Sequence, residues 1–248
     1  MSTFNRFVRQ PLLALGVATA AASASAIPLT IPTTLLDAQS FYTFNQDTAG
    51  LMENMGISAR ALGNTQAMAG SNWQFMMPVT QMTLDATILP LGLNPRSGYA
   101  MGSGLLIQSG GGALSLANFG LDFKRNILTA DLGTSAGIVK NFDVYSFTVD
   151  QGLHVSTKGG LTMQMNLSHM TLTSAAQVQF ASALQLEEFA VAVLPLMDFG
   201  TLDVKVSPGL RFGVSDKPLV AAIPEAPTYA TLGLGLLGLA FLKRRALV

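Results

Sequence analysis

Ala113-Leu114-Ser115-Leu116-Ala117-Asn118-Phe119-Gly120-Leu121-Asp122-Phe123 alternates large apolar residues with small or polar ones in two different phases. Leu114 and Leu116 share one parity; beyond Asn118 the phase resets through Phe119, Leu121 and Phe123. Strand side chains alternate faces with a period of two, so the pattern predicts a half-buried strand broken by a bulge or turn near Asn118.

The same period recurs on both sides. Ile127 to Leu132, Phe142 to Val149, Leu161 to Leu167 and Thr201 to Val206 are alternating or β-branched runs. Ser109 to Gly112, Lys124-Arg125-Asn126, Gly133 to Gly137 and Lys158-Gly159-Gly160 separate them as turns. Short strands joined by tight turns predict a mainly β chain, an antiparallel sandwich or barrel, and a single β-sandwich-like domain over residues 27–214 is the expectation. A right-handed β-helix is the runner-up, weakened by the lack of a fixed repeat. One or two short helices accompany the strands. Asp47 to Ala61 begins at a residue able to cap and places Leu51, Met55 and Ile57 near one face, with Met52 beside them; Ser174 to Leu186 is Ala-rich, with Val178, Phe180, Ala181 and Leu184 near helical spacing. Residues 215–222, with Lys217-Pro218, form a linker expected to be exposed and extended.

Both ends of the chain carry targeting patterns. Arg6 and Arg9, then an apolar Leu12 to Ala22, then Ala24-Ser25-Ala26 have the order of a secretory signal peptide, cut after Ala26. At the other end, Pro224, Glu225, Ala226 and Pro227 precede 14 uncharged residues, Tyr229 to Leu242, and the basic cluster Lys243, Arg244 and Arg245. Proline fixes its own φ and biases its predecessor away from helix, so a helix starts only beyond Pro227. At 1.5 Å per residue the apolar helix reaches about 21 Å, short of a hydrocarbon core of about 30 Å. Leu-Gly alternation from Leu232 to Gly238 weakens it further. The basic end is expected to stay cytoplasmic. A weak span suits a signal that is recognised and removed; a permanent single-pass anchor is the alternative.

The tail resembles the PEP-CTERM sorting signal of Gram-negative bacteria, in which Pro-Glu-Pro precedes an apolar helix and an Arg-rich end. Here Ala226 stands where the second proline is usual, with Pro227 one place later. The resemblance covers residues 223–248 and implies handling by an exosortase-like membrane enzyme in organisms that make extracellular polysaccharide. Gly102-Ser103-Gly104-Leu105, Ala117-Asn118-Phe119, Leu121-Asp122-Phe123 and Asp198-Phe199-Gly200-Thr201-Leu202 loosely resemble the bodies of other proteins with this tail.

Composition narrows the function classes. Arg6, Arg9, Lys243, Arg244 and Arg245 lie in the two end segments; the nine basic residues left face 14 acidic ones when Glu225 of the tail is included, a net charge of about −5. Such a surface does not favour nucleic acid, which needs basic stripes to displace counterions. The chain has no cysteine, which excludes Cys-based redox, zinc and catalytic schemes.

Candidate chemistry is sparse. Gly133-Thr134-Ser135-Ala136-Gly137 matches G-x-S-x-G, and Asp150 and His169 follow in the order of an α/β-hydrolase triad. That elbow needs a strand turning sharply into a helix, whereas Ile138 to Val149 reads as strand, so Ser135 is expected in a β-turn. His154 and His169 are the only histidines; His169 shares the parity of Leu161, Met163, Met165 and Leu167 unless the chain bulges before Met170. A partly buried histidine is the plain reading, and a haem or metal ligand the sharper one. The 12 methionines are spread out, and core filling explains Met76-Met77 and Met163-x-Met165. Gly102 to Gly112 lacks the Lys-Ser/Thr ending of a P-loop, Asp198-Phe199-Gly200 has no kinase elements around it, and Glu187-Glu188 reads as a solvated face.

The expectation is an exported cell-surface or extracellular-matrix protein, not an enzyme, with a structural or adhesive role and no catalytic, cofactor or metal residues. Its partners would be the secretion machinery, an exosortase-like enzyme, the inner membrane in passing and extracellular polysaccharide. Alternatives are a haem- or metal-binding module, a membrane-anchored periplasmic protein and, least, a serine hydrolase.

Overall fold

A computed structural model describes residues 27–32, 36–87, 92–157, 162–209 and 211–222. The signal cleavage residues Ala24 and Ala26, the sorting residues Pro224, Glu225, Ala226, Pro227, Lys243, Arg244 and Arg245, and the Lys158 to Gly160 turn lie outside them. Among the described residues no helix is long and apolar enough to cross a membrane.

The chain forms β1 (Ile27–Pro32), β2 (Leu36–Thr43), α1 (Gln46–Asn54), β3 (Ser58–Gly63), β4 (Gln66–Ala67), β5 (Gln74–Pro78), β6 (Gln81–Thr87), β7 (Gly92–Gln108), β8 (Ala113–Asp122), β9 (Ile127–Thr134), β10 (Gly137–Ser156), β11 (Thr162–Leu172), α2 (Ser174–Ala183), α3 (Glu188–Val193), a 3-10 turn (Leu194–Leu196) and β12 (Thr201–Pro208). All strands join one sheet in the order β1-β6-β7-β8-β9-β10-β11-β12-β2-β5-β4, with β3 on β7, and every pairing is antiparallel.

The mainly β, antiparallel expectation holds; the sandwich does not, because one continuous sheet curls into a half-barrel. Curvature enters through bulges. Gly102 (φ 75) on β7, Asn118 (φ 55) on β8 and Asn141 (φ 51) on β10 all sit at register shifts. An extra residue on one strand bends it and increases its twist, and a row of such sites turns the whole sheet. Chain continuity then joins the ends: β5 pairs with β2 while β6 pairs with β7. Between them, Val79 N–H donates to Ala38 O at 2.9 Å and Thr80 N–H to Tyr99 O at 2.7 Å. Arg211 reinforces the crossing, donating to the carbonyls of Ala38 and Val79.

The concave face holds the core. Leu114 and Leu116 point inward, and past Asn118 the inward parity passes to Phe119, beside Tyr42, Met77, Leu128, Tyr145, Met165, Leu202 and Val204. Helix α2 lies against β8, β10 and β11 and inserts Ala176, Phe180 and Leu184 into the same core.

Two helix boundaries differ from expectation. α1 stops at Asn54, followed by Gly56 at φ 68, and residues from Ser58 form β3, because the ladder with β7 outcompetes further helix. Its N-cap is Asn45, whose side chain accepts from Asp47 N–H at 2.9 Å, and the cap of α2 is Thr173, not Ser174. Val178 is exposed rather than on the packed face. α3, too short for a periodic signal, was not expected; Glu187 and Glu188 are exposed at its start.

Candidate functional site

Ser135 and Ala136 form the tight turn between β9 and β10, and strand rather than helix follows Gly137. The structure does not assemble the triad. Asp150 is exposed 13 residues further along β10 than Gly137, on the order of 40 Å of extended chain. His169 is exposed on β11.

His169 is the outward residue its parity alone does not give. Its φ of 49° marks the bulge ahead of Met170 that puts the imidazole in solvent, correcting the partly buried reading. Its Nδ1 lies 3.2 Å from an Asp198 carboxylate oxygen. Asp198 is itself fixed: its other oxygen accepts from Gly200 N–H at 2.8 Å and its carbonyl accepts from Thr48 at 2.6 Å. Asp198-Phe199-Gly200 is therefore a structural turn, and a Cβ on Gly200 would meet Thr43 O at 2.0 Å. His154, also exposed, pairs with Gln164, five residues from His169 along β11, on the order of 15 Å. The two histidines do not converge, and no group of three metal-ligating side chains occurs among the described residues. Met77 and Met165 are core residues, as core filling requires.

The interior offers little room. The apolar cavity beside Tyr42, Tyr145 and Phe119 is about 40 Å³. Small-molecule pockets run to roughly 300–1,000 Å³, so this is a packing void. Burial pushes the Tyr42 and Tyr145 hydroxyls well above the ordinary tyrosine range.

Residues 211–222 show what the linker reading missed. The segment is extended and largely exposed, yet it is bound to the body as a strap. Asn118 holds it at two points: its side-chain oxygen accepts from Leu219 N–H, and its amide donates to Leu219 O, each at 2.7 Å. The same oxygen accepts from Gly102 N–H at 3.1 Å, and the same amide donates to Asp131 at 2.8 Å. All four hydrogen-bonding positions of the asparagine are used. Ser115 donates to Ala222 O at 2.6 Å and Asn64 to Ser215 O at 2.7 Å. Glycines clear the path: a Cβ on Gly133 would meet Ala222 O at 2.4 Å, and one on Gly104 would meet Leu219 at 3.0 Å. The only sequence signal for this network was a polar Asn at a phase break.

The outer face carries an open groove of about 410 Å³ over β7, β8 and β9. Register places Tyr99 opposite Gly120, and Gly120 opposite Thr129. A Cβ on Gly120 would lie 3.2 Å from the Tyr99 ring, so the missing side chain lets the ring settle against the β8 backbone, where it stays 37% exposed. Arg96, Lys124, Asp122 and Asn141 rim the groove. Arg125 donates to Asp122 at 2.8 Å and to Asp143 at 2.8 and 3.2 Å. That hydrogen bond holds the Asp122 carboxyl below its ordinary range. Pairing Tyr99 with Gly120 needed the strand register, which sequence alone did not supply.

No protein-family model matches the chain, and no curated protein matches it. Among solved structures, the chain is similar to a heme binding protein, HtaB, from Corynebacterium glutamicum, with 9% identity and a TM-score of 0.41 over 74% of this chain and 98% of that one. At that score the likeness carries no argument about fold or ligand.

Proposed function

We propose that the chain is an exported β-domain held at the cell surface or in the extracellular matrix through its C-terminal end, with an adhesive or structural task and no catalytic one. Residues 1–26 act as the secretory leader, and residues 223–248 as a PEP-CTERM-like signal recognised at the inner membrane by an exosortase-like enzyme. The strap supports this reading: residues leading directly to the tail are clamped by Asn118, Ser115 and Asn64, so the tail-bearing end belongs to the folded body. Recovery from the native host, fractionation into membrane, periplasmic and released pools, and intact-mass measurement test it. Surface-bound or released protein lacking residues beyond about Ala226 is expected; membrane-held protein retaining Lys243 to Val248 would make the tail an anchor instead.

A second reading has one observation in its favour. Asp198 beside His169 Nδ1 orients the ring with Nε2 toward solvent, the arrangement that prepares a histidine for haem or metal. A haem titration that gives a new absorbance band, lost in His169→Ala, supports it; a featureless titration removes it.

A further inference from the structure

We infer that the outer-face groove around Tyr99 is a binding subsite for an uncharged, hydroxyl-rich glycan chain. This rests on the adhesive reading above and names the class of polymer that the surface would hold.

Charge bookkeeping within the groove separates glycan classes. Arg125 is occupied by Asp122 and Asp143, and Arg96 lies 3.6 Å from Asp85. Of the groove's three cations, Lys124 is the one without a carboxylate partner among the described residues. An anionic polymer would therefore meet guanidinium groups already neutralised, on an exported body whose net charge is about −5. A neutral sugar meets a better match. Its hydroxyls both donate and accept, which suits a rim of Thr129, Asn141 and Lys124, carrying acceptors and donors close together.

Tyr99 supplies the second half of recognition. Sugar rings present C–H faces that pack on aromatic faces, and Tyr adds contact area at low conformational cost. The ring rests on the Gly120 backbone, so little further ordering is needed on binding. The groove is open and of pocket size, as a subsite for a continuous chain requires, rather than closed around an end group.

The experiment is retention of the full chain, in mild detergent, on immobilised neutral polymers (laminarin, dextran, galactomannan) and acidic ones (alginate, hyaluronan), at low and high salt. We expect retention on at least one neutral polymer, little affected by salt, since screening weakens only charge-driven contacts. Tyr99→Ala should weaken it by roughly tenfold, while Tyr99→Phe, which keeps the ring, stays within about threefold. Lys124→Ala should weaken it by about threefold or less. Circular dichroism and a thermal melt confirm that each variant folds.

Binding to acidic polymers alone, abolished by salt, would overturn the inference, as would full retention in folded Tyr99→Ala. Failure of the wild-type chain to bind any neutral polymer also overturns it. The surface-display reading is judged separately by the fractionation experiment, so the two can fail independently.

Discussion

Asn118 grips Leu219 by both backbone groups, accepting from its N–H and donating to its carbonyl at 2.7 Å each, across 101 positions of sequence. The asparagine is 7% exposed and left-handed at φ 55, so the bulge that curves β8 also aims the side chain at the strap. Replacing it by alanine leaves the buried N–H of Gly102 and the amide of Leu219 without their partner, and it removes the polar side chain that lets asparagine, unlike alanine, adopt the left-handed region readily. We expect a loss of about 3 kcal/mol in urea unfolding. Asn118→Gly, free of the backbone cost, should lose about 1 kcal/mol less. In both, hydrogen exchange at Leu219 to Ala222 should rise far more than in β11.

Gly133→Ala should act on the strap from below. The added carbon would lie 2.4 Å from Ala222 O and 2.5 Å from Ser115 Oγ, so the strap must move. A cost of about 1–2 kcal/mol is expected, with exchange again concentrated in residues 219–222. Gly110→Ala and Gly152→Ala, which meet nothing within 4 Å, should stay within about 0.5 kcal/mol of the parent.

Ser135→Ala changes an exposed turn residue whose neighbours in sequence are strands. Unfolding should shift by no more than about 0.5 kcal/mol. Hydrolysis of an ester panel should be the same in parent and variant; turnover lost in the variant would establish a nucleophile.

Alkaline pH should destabilise the protein through Tyr42 and Tyr145. Burial raises both hydroxyls above the ordinary range, and Tyr42 also donates to Phe199 O at 3.0 Å. A folded-state pKa above the unfolded one means that the folded state keeps its protons longer. This stability is complete below the unfolded value of about 10 and is lost as pH rises toward the folded value. The urea midpoint should fall above about pH 10, with the tyrosinate absorbance of these residues appearing together with unfolding. Tyr145→Phe should flatten that limb.

Local chemistry made the strands legible, because a period of two and glycine-bearing turns are written over a few residues. Leu114, Leu116, Phe119 and Leu121 even betrayed the bulge. Curling was not legible: it depends on Gly102, Asn118 and Asn141 falling side by side, a matter of register between strands. The end of α1 was misplaced because Ile57 fits a helical stripe as well as a core position beside β3. His169 could be followed only as far as the conditional bulge. Tyr99 gave no signal at all, since Gly120 becomes its seat only after β7 and β8 pair.

The strap also sets how the protein would respond to a pull. Tension applied through the tail arrives first at Ala222 and its bond from Ser115, next at Leu219 and Asn118, and last at Ser215 and Asn64. The sheet ladders stand behind these clamps. Release of residues 215–222 would lengthen the tether by roughly 25 Å, at about 3.3 Å per residue, while every strand stays paired. On the surface-display reading proposed above, a load would thus stretch a spring that can rewind before any strand of the sheet is torn away.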